Sequence, residues 1–236
     1  MKRTTKYFKE VSNALATAKA DEVEVKNSSS INRREYIKNE ATSIQKELTT
    51  EYKKLCSHIK KSSKVLEEEV QNLPKVEQER IQKEIKSALR KIENVGEELD
   101  EPCLQTYLGL SNETLFWIYE TAYNSYQNNR HEEAQDLFFL LVLFNPMVRD
   151  YWMALGHAYN ARCFYDKAQE AFSLASFLDP EYAPSRYQSA QLYLEAGAFE
   201  DALAELAVLE EILNKEEDPS LRAQFEKLRT RARNKS

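Results

Sequence analysis

An all-α protein is what this sequence predicts: a three-unit α-solenoid closed by a C-terminal capping helix and preceded by a helical hairpin or coiled-coil-like region. Three observations carry that expectation. Residues of matching size recur at a period of 34 between about 115 and 216. Only four glycines accompany 42% hydrophobic and 31% charged residues in a chain of 236, a composition that leaves little room for a β class. Finally, two narrow apolar stripes with steps of three and four run from Ile37 to Leu73 and from Ile81 to Leu99.

The central unit is the most regular. It reads Trp152-x-x-Leu155-Gly156-x-x-Tyr159, then Ala168, Phe172, Ala175 and Pro180. Gly156 and Ala168 are small where two antiparallel helices cross, Trp152, Leu155 and Tyr159 fill the space between them, and Pro180 closes the second helix. One period upstream stand Ala122, Ala134, Phe138 and Pro146. One period downstream stand Ala190, Tyr193, Ala202 and Leu206, with Gly197 in the turn. This is the tetratricopeptide (TPR) pattern, and three copies are what such a repeat needs to bury a continuous core. Residues 101–216 are therefore read as three TPR repeats, 115–148, 149–182 and 183–216. The outer copies depart from the pattern at Ile118, Ser125 and Asn214, as terminal repeats do.

Charge and aromatic content divide the chain. Residues 1–100 hold 21 Lys/Arg against 18 Asp/Glu, leaving 12 against 21 for the remainder, so the repeats are acidic. A nucleic-acid partner needs a clustered basic face, which the repeats lack. Only Tyr7, Phe8, Tyr36 and Tyr52 among the 25 aromatic residues precede position 101, which places the core in the C-terminal part. Cys56, Cys103 and Cys163 are odd in number and far apart, which suits free thiols in a reducing compartment. The basic start from Met1 to Lys6 has no apolar run of signal length behind it, and Leu137–Phe144 is too short for a membrane span. A cytoplasmic protein without membrane insertion is expected.

Taken in order, residues 1–32 show no sustained period and are expected to form a mostly disordered N-terminal tail. Residues 33–100 form the helical, coiled-coil-like extension, broken at Pro74. Its two stripes either fold back as an antiparallel hairpin against the repeats or pair with a second copy as a homodimer, and the sequence weighs these evenly. Cys56 and His58 are two apart on one helix and do not share a face, which argues against a metal site. Ser111 is placed to cap the first repeat helix. In 217–236, Pro219 opens a capping helix whose Leu221, Phe225, Leu228 and Ala232 share one face.

The first helix of each TPR lines the inner curve through its positions 2, 5, 9 and 12. Repeat one supplies Phe116, Tyr119, Tyr123 and Tyr126. Repeat two supplies Asp150, Met153, His157 and Asn160. Repeat three supplies Pro184, Tyr187, Gln191 and Leu194. The spacing sets these on a stripe apart from Ala122, Gly156 and Ala190, and so many rings outside the core columns point to a peptide-binding groove. Neither a catalytic constellation nor a cofactor motif is visible. The histidines His58, His131 and His157 lie on separate elements, and no phosphate loop or zinc spacing occurs. No enzyme, cofactor or metal site is expected.

Leu108-Gly109-Leu110-Ser111-x-Glu113-x-Leu115, followed by Tyr119, Ala122, Tyr126, Glu133-Ala134 and Phe138 and then the repeats, resembles the SycD/LcrH family of class II chaperones of bacterial type III secretion. The resemblance covers about residues 104–233. It implies a cytoplasmic bacterial protein that keeps a hydrophobic translocator soluble by holding an extended segment near the translocator's N-terminus in its concave groove, a virulence-associated role. Tyr119 and Tyr126 fall on the family's groove tyrosines. Residues 1–100 depart from the family, whose members usually carry only a short N-terminal helix there. The alternative is a TPR scaffold or assembly factor acting through its N-terminal helical region. A co-chaperone for acidic tails would need Lys, Arg and Asn where Tyr119, Tyr123 and Met153 stand.

Overall fold

The computed structural model describes residues 57–93, 104–215 and 219–233, with positions 46, 50 and 54. Among the described residues every regular element is helical: α1 (57–69), α2 (Lys75–Glu93), α3 (Leu104–Leu108), α4 (Asn112–Gln127), α5 (His131–Phe144), α6 (Arg149–Ala161), α7 (Tyr165–Leu178), α8 (Ala183–Ala196), α9 (Phe199–Lys215) and α10 (Pro219–Arg233). Helices α4/α5, α6/α7 and α8/α9 are the three repeat pairs, each packed within itself and onto the next. The expected all-α solenoid is the observed architecture. The N-terminal tail 1–32 and the stripe over residues 37–56 fall outside the described residues, apart from Lys46, Thr50 and Lys54.

The repeat columns do what their sizes demand. Ala122, Ala134, Ala158, Ala168, Ala190 and Ala202 have no exposed surface. A Cβ added to Gly156 would stand 2.5 Å from the ring of Phe172, itself fully buried. Asn129, Cys163 and Gly197, one period apart, close the three inter-helix turns with φ of 60°, 62° and 78°. That left-handed conformation suits glycine best and is strained for a side chain such as Cys163. The prolines fall where the second helices stop, since α5 ends at Phe144 ahead of Pro146 and α7 at Leu178 ahead of Pro180.

Ser111 caps α4 as expected, accepting from the Thr114 backbone N–H at 3.2 Å. Its hydroxyl donates to Glu84 Oε2 at 2.9 Å and its backbone N–H reaches the same oxygen at 3.0 Å. Burial acts to raise the Glu84 carboxyl, but these bonds and one from Thr114 outweigh it and hold the group below its usual range. The cap therefore also ties α2 to the first repeat.

That tie belongs to a larger junction. Between the two homes open to the 33–100 region, its described part takes the intramolecular one. Helices α1 and α2 fold back about Pro74 and lie on repeat one, where Leu66 and Ala88 are buried with Ile118, Leu140 and Phe144. His58 Nδ1 stands 2.5 Å from Asp136 Oδ1, and the Ser62 hydroxyl donates to the Asp136 carbonyl at 3.0 Å. At the other end α10 buries Phe225, Leu228 and Ala232 against α8 and α9 and so closes repeat three. No helix among the described residues is long and apolar enough to cross a membrane.

Candidate functional site: a ring-lined groove

The first helices of the repeats face an open hollow of about 600 Å³. Tyr119, Tyr123 and Tyr126 enter it from α4, Asp150, Met153 and His157 from α6, and Pro184 from the start of α8. Sequence spacing had placed all seven on the inner curve. Helical geometry explains the agreement, because positions 2, 5, 9 and 12 of a repeat share a stripe about a quarter-turn or more from the core columns.

The remaining expected groove residues do not line the hollow, and each has a reason. Phe116 lies one turn toward the start of α4 and is 61% exposed outside it. Asn160 and Gln191 sit one turn beyond the opposite end. Leu194 is 2% exposed, and with Tyr187 it belongs to the core shared by α8, α9 and α10, because the capping helix draws those positions inward. For Leu194 the groove assignment is thus corrected. Sequence reasoning missed Phe138, Arg149, Ala154, Tyr182 and Gln188. Ala154 and Gln188 are position 6 of their repeats, a column beside the stripe that could have been included. Arg149 and Tyr182 come from the joints between repeats, where no periodic rule applies.

The rings are half core and half surface. Tyr119 packs edge-on to the buried Phe138, with centroids 5.6 Å apart, and against Tyr151 at 6.1 Å. Burial first, and then the Asp150 carboxylate, push its hydroxyl above the usual tyrosine range, so it remains a neutral donor. Tyr126 rests on His131, with ring centroids 5.1 Å apart. Tyr123 is the most open of the three at 49% exposure. His157 meets the edge of Phe172 at 5.2 Å, and burial lowers its pKa, leaving the imidazole neutral near pH 7.

Among the described residues, one cation borders the hollow. The Arg149 guanidinium stacks 3.7 Å from the centroid of Tyr182 and pairs with Asp150 at 2.7 Å and Asp179 at 2.6 Å. Burial acts against its charge, but the bonds to Asp150 and Asp179 outweigh that and raise its pKa. With Arg149 matched by two carboxylates and His157 neutral, the groove presents rings and amphipathic edges and has little net charge. Such a surface accepts apolar side chains of an extended chain, with hydroxyl donors at the rim for its backbone. No group of three or more His, Cys, Asp or Glu among the described residues could hold a metal ion. Cys163 is exposed and free.

No family model matches the chain. Over 104 residues, 44% of its length, it is 25% identical to the low calcium response locus protein H of Yersinia pestis, and it spans 62% of that relative's length. The counterpart from Yersinia pseudotuberculosis matches to the same extent. In three dimensions the chain is similar to the type III secretion translocator chaperone SycD of Yersinia enterocolitica. There the TM-score is 0.50 at 20% identity, covering 57% of this chain and 98% of that one. It is also similar to a chain in a type III secretion complex from Aeromonas hydrophila, with a TM-score of 0.52 at 19% identity over 58% of this chain and 89% of that one. These structural likenesses are likenesses of fold, and they coincide with the family that the lead-in and repeat residues resemble.

Proposed function

We propose that this protein is a type III secretion chaperone that holds an apolar, extended segment of a secreted translocator in the groove of its first two repeats and keeps that client soluble in the bacterial cytoplasm. The single observation that carries the proposal is the hollow walled by Tyr119, Tyr123, Tyr126, Met153 and His157, open to solvent and nearly without net charge. The likeness to a low calcium response locus protein and to a translocator chaperone supports the same reading.

The physical need is plain. A membrane-inserting client exposes long apolar surface in water and aggregates unless that state is sequestered. Binding energy alone performs the task, so the protein acts by holding its client and needs neither catalysis nor a cofactor. A few ring-filled contacts supply most of the affinity in such interfaces, because rings cover large area with few rotatable bonds.

The test is a pull-down of co-expressed secreted proteins encoded nearby, followed by mapping of the protected client segment. Replacing both Tyr119 and Tyr126 by Ala in a variant that keeps its helical spectrum weakens the complex about tenfold or more. Unchanged affinity would remove the groove from the reading, and failure to recover an apolar secreted partner would remove the client class.

A further inference from the structure

The little charge that the groove carries is gathered at one corner and has one sign. Among the described residues lining the hollow, Arg149 is the only cation, and two carboxylates share it. Its Nε and one terminal nitrogen donate to Asp150 Oδ1 at 2.9 and 2.7 Å, while the other terminal nitrogen donates to Asp179 Oδ2 at 2.6 Å. One positive and two negative groups leave a balance of one negative charge. The nearby backbone does not cancel it. Asp150 sits in the first turn of α6, whose amide end favours a carboxylate, but α7 ends at Leu178 beside Asp179 and brings its carbonyl end to the same corner.

Asp150 is the carboxylate that faces the hollow. It lines the wall with Tyr119, Tyr123 and Tyr182, whereas Asp179 does not. Both bonds from Arg149 end on Oδ1, so Oδ2 keeps its lone pairs for another donor. The Asp150 side chain is 56% exposed, and water solvates it while the groove is empty. An extended apolar segment laid in the groove removes that water. Covering an uncompensated carboxylate with apolar groups costs free energy unless a positive group arrives with them. The rings beside it strengthen the preference, because the face of a tyrosine attracts a cation. Tyr182 already holds the Arg149 guanidinium in this way at 3.7 Å, and Tyr123, about half exposed, is open to a second cation.

With the groove taken as the client site, we infer that its Asp150 corner is a cation subsite, which takes a Lys or Arg side chain of the client at one fixed place beside the apolar anchors and turns away Asp or Glu there. The ring-lined wall supplies most of the affinity, and Asp150 fixes the register of the segment along it. The client class thereby narrows from an apolar extended segment to one that carries a basic residue at a set distance from its apolar side chains.

The test presents the full chain with a library of peptides about ten residues long, built from Leu, Val, Pro and Ser with Lys, Gln or Glu admitted at every position, and sequences those retained. The retained pool favours Lys over Gln about tenfold at one position relative to its apolar residues, with Glu depleted there. Asp150→Asn abolishes that preference and still retains peptides. Glu120→Gln, which removes the same charge from an exposed site on α4 outside the hollow, keeps it. Equal recovery of Lys and Gln overturns the inference and leaves the groove reading intact, as does a preference that survives Asp150→Asn or is spread over all positions. An empty pool, or one that the Tyr119→Ala, Tyr126→Ala variant retains unchanged, overturns the groove reading and the inference with it.

Discussion

At the scale of single residues, the strongest constraints are steric and protonic. Gly156 has no room for a methyl group, since Phe172 is held on all sides and cannot retreat from the 2.5 Å approach. Gly156→Ala therefore lowers stability by about 1–3 kcal/mol in denaturant unfolding, the usual effect of overfilling a core. His157 gives a pH dependence with a definite sign. Its folded pKa is depressed by burial, so below about pH 6.5 the unfolded chain binds the proton more readily than the folded one. Stability is thus lost as pH falls from 7 toward 5. His157→Gln loses less over the same range, which paired melting curves at pH 7 and pH 5 measure directly.

At the scale of elements, turns and caps decide where helices begin and end. The three turn positions Asn129, Cys163 and Gly197 share one left-handed conformation, and Gly197 is the one residue that adopts it without strain. Cys163→Gly raises the unfolding free energy by about 0.5–1 kcal/mol, relief of strain exceeding the added freedom of the unfolded chain. A fall in stability would mean that Cys163 makes a compensating contact. Ser111 caps α4 and holds Glu84 of α2 at once, so Ser111→Ala costs about 1–2 kcal/mol, measured by thermal unfolding. The periodic pattern exposed the repeat helices because their core columns recur. It could not expose the second duty of Ser111, because the Glu84 partner lies 27 residues away on an element whose position the pattern leaves open.

At the scale of the whole molecule, the N-terminal hairpin is a cap made by the chain for its own first repeat. An α-solenoid leaves an apolar face at each end, and here α1/α2 cover one and α10 the other. A chain lacking residues 1–93 bares Leu140 and Phe144. It unfolds at a lower temperature and self-associates in light scattering, while any intact groove still binds client. Loss of client binding in a folded, monomeric truncated chain would instead favour the scaffold reading. Asp136→Asn tests the same junction more gently by weakening the hydrogen-bonded contact between the part-exposed His58 ring and the buried Asp136 side chain. The fold should persist, with faster amide exchange in α1.

The sequence by itself determined the repeat register, the helix ends and the inner-curve stripe, because these follow from a period of 34 and from the local chemistry of Gly, Pro and Ser. It placed Tyr119, Tyr123, Tyr126, Met153 and His157 on one surface for the same reason. Only the tertiary structure decided that Leu194 turns into the core, that Arg149 and Tyr182 stack at the groove edge, and that the hairpin lies on α5. Each of those outcomes depends on contacts between elements distant in sequence. Local spacing states which side chains share a face, whereas the neighbour that covers that face is chosen by competition among all the apolar surfaces the chain can bury.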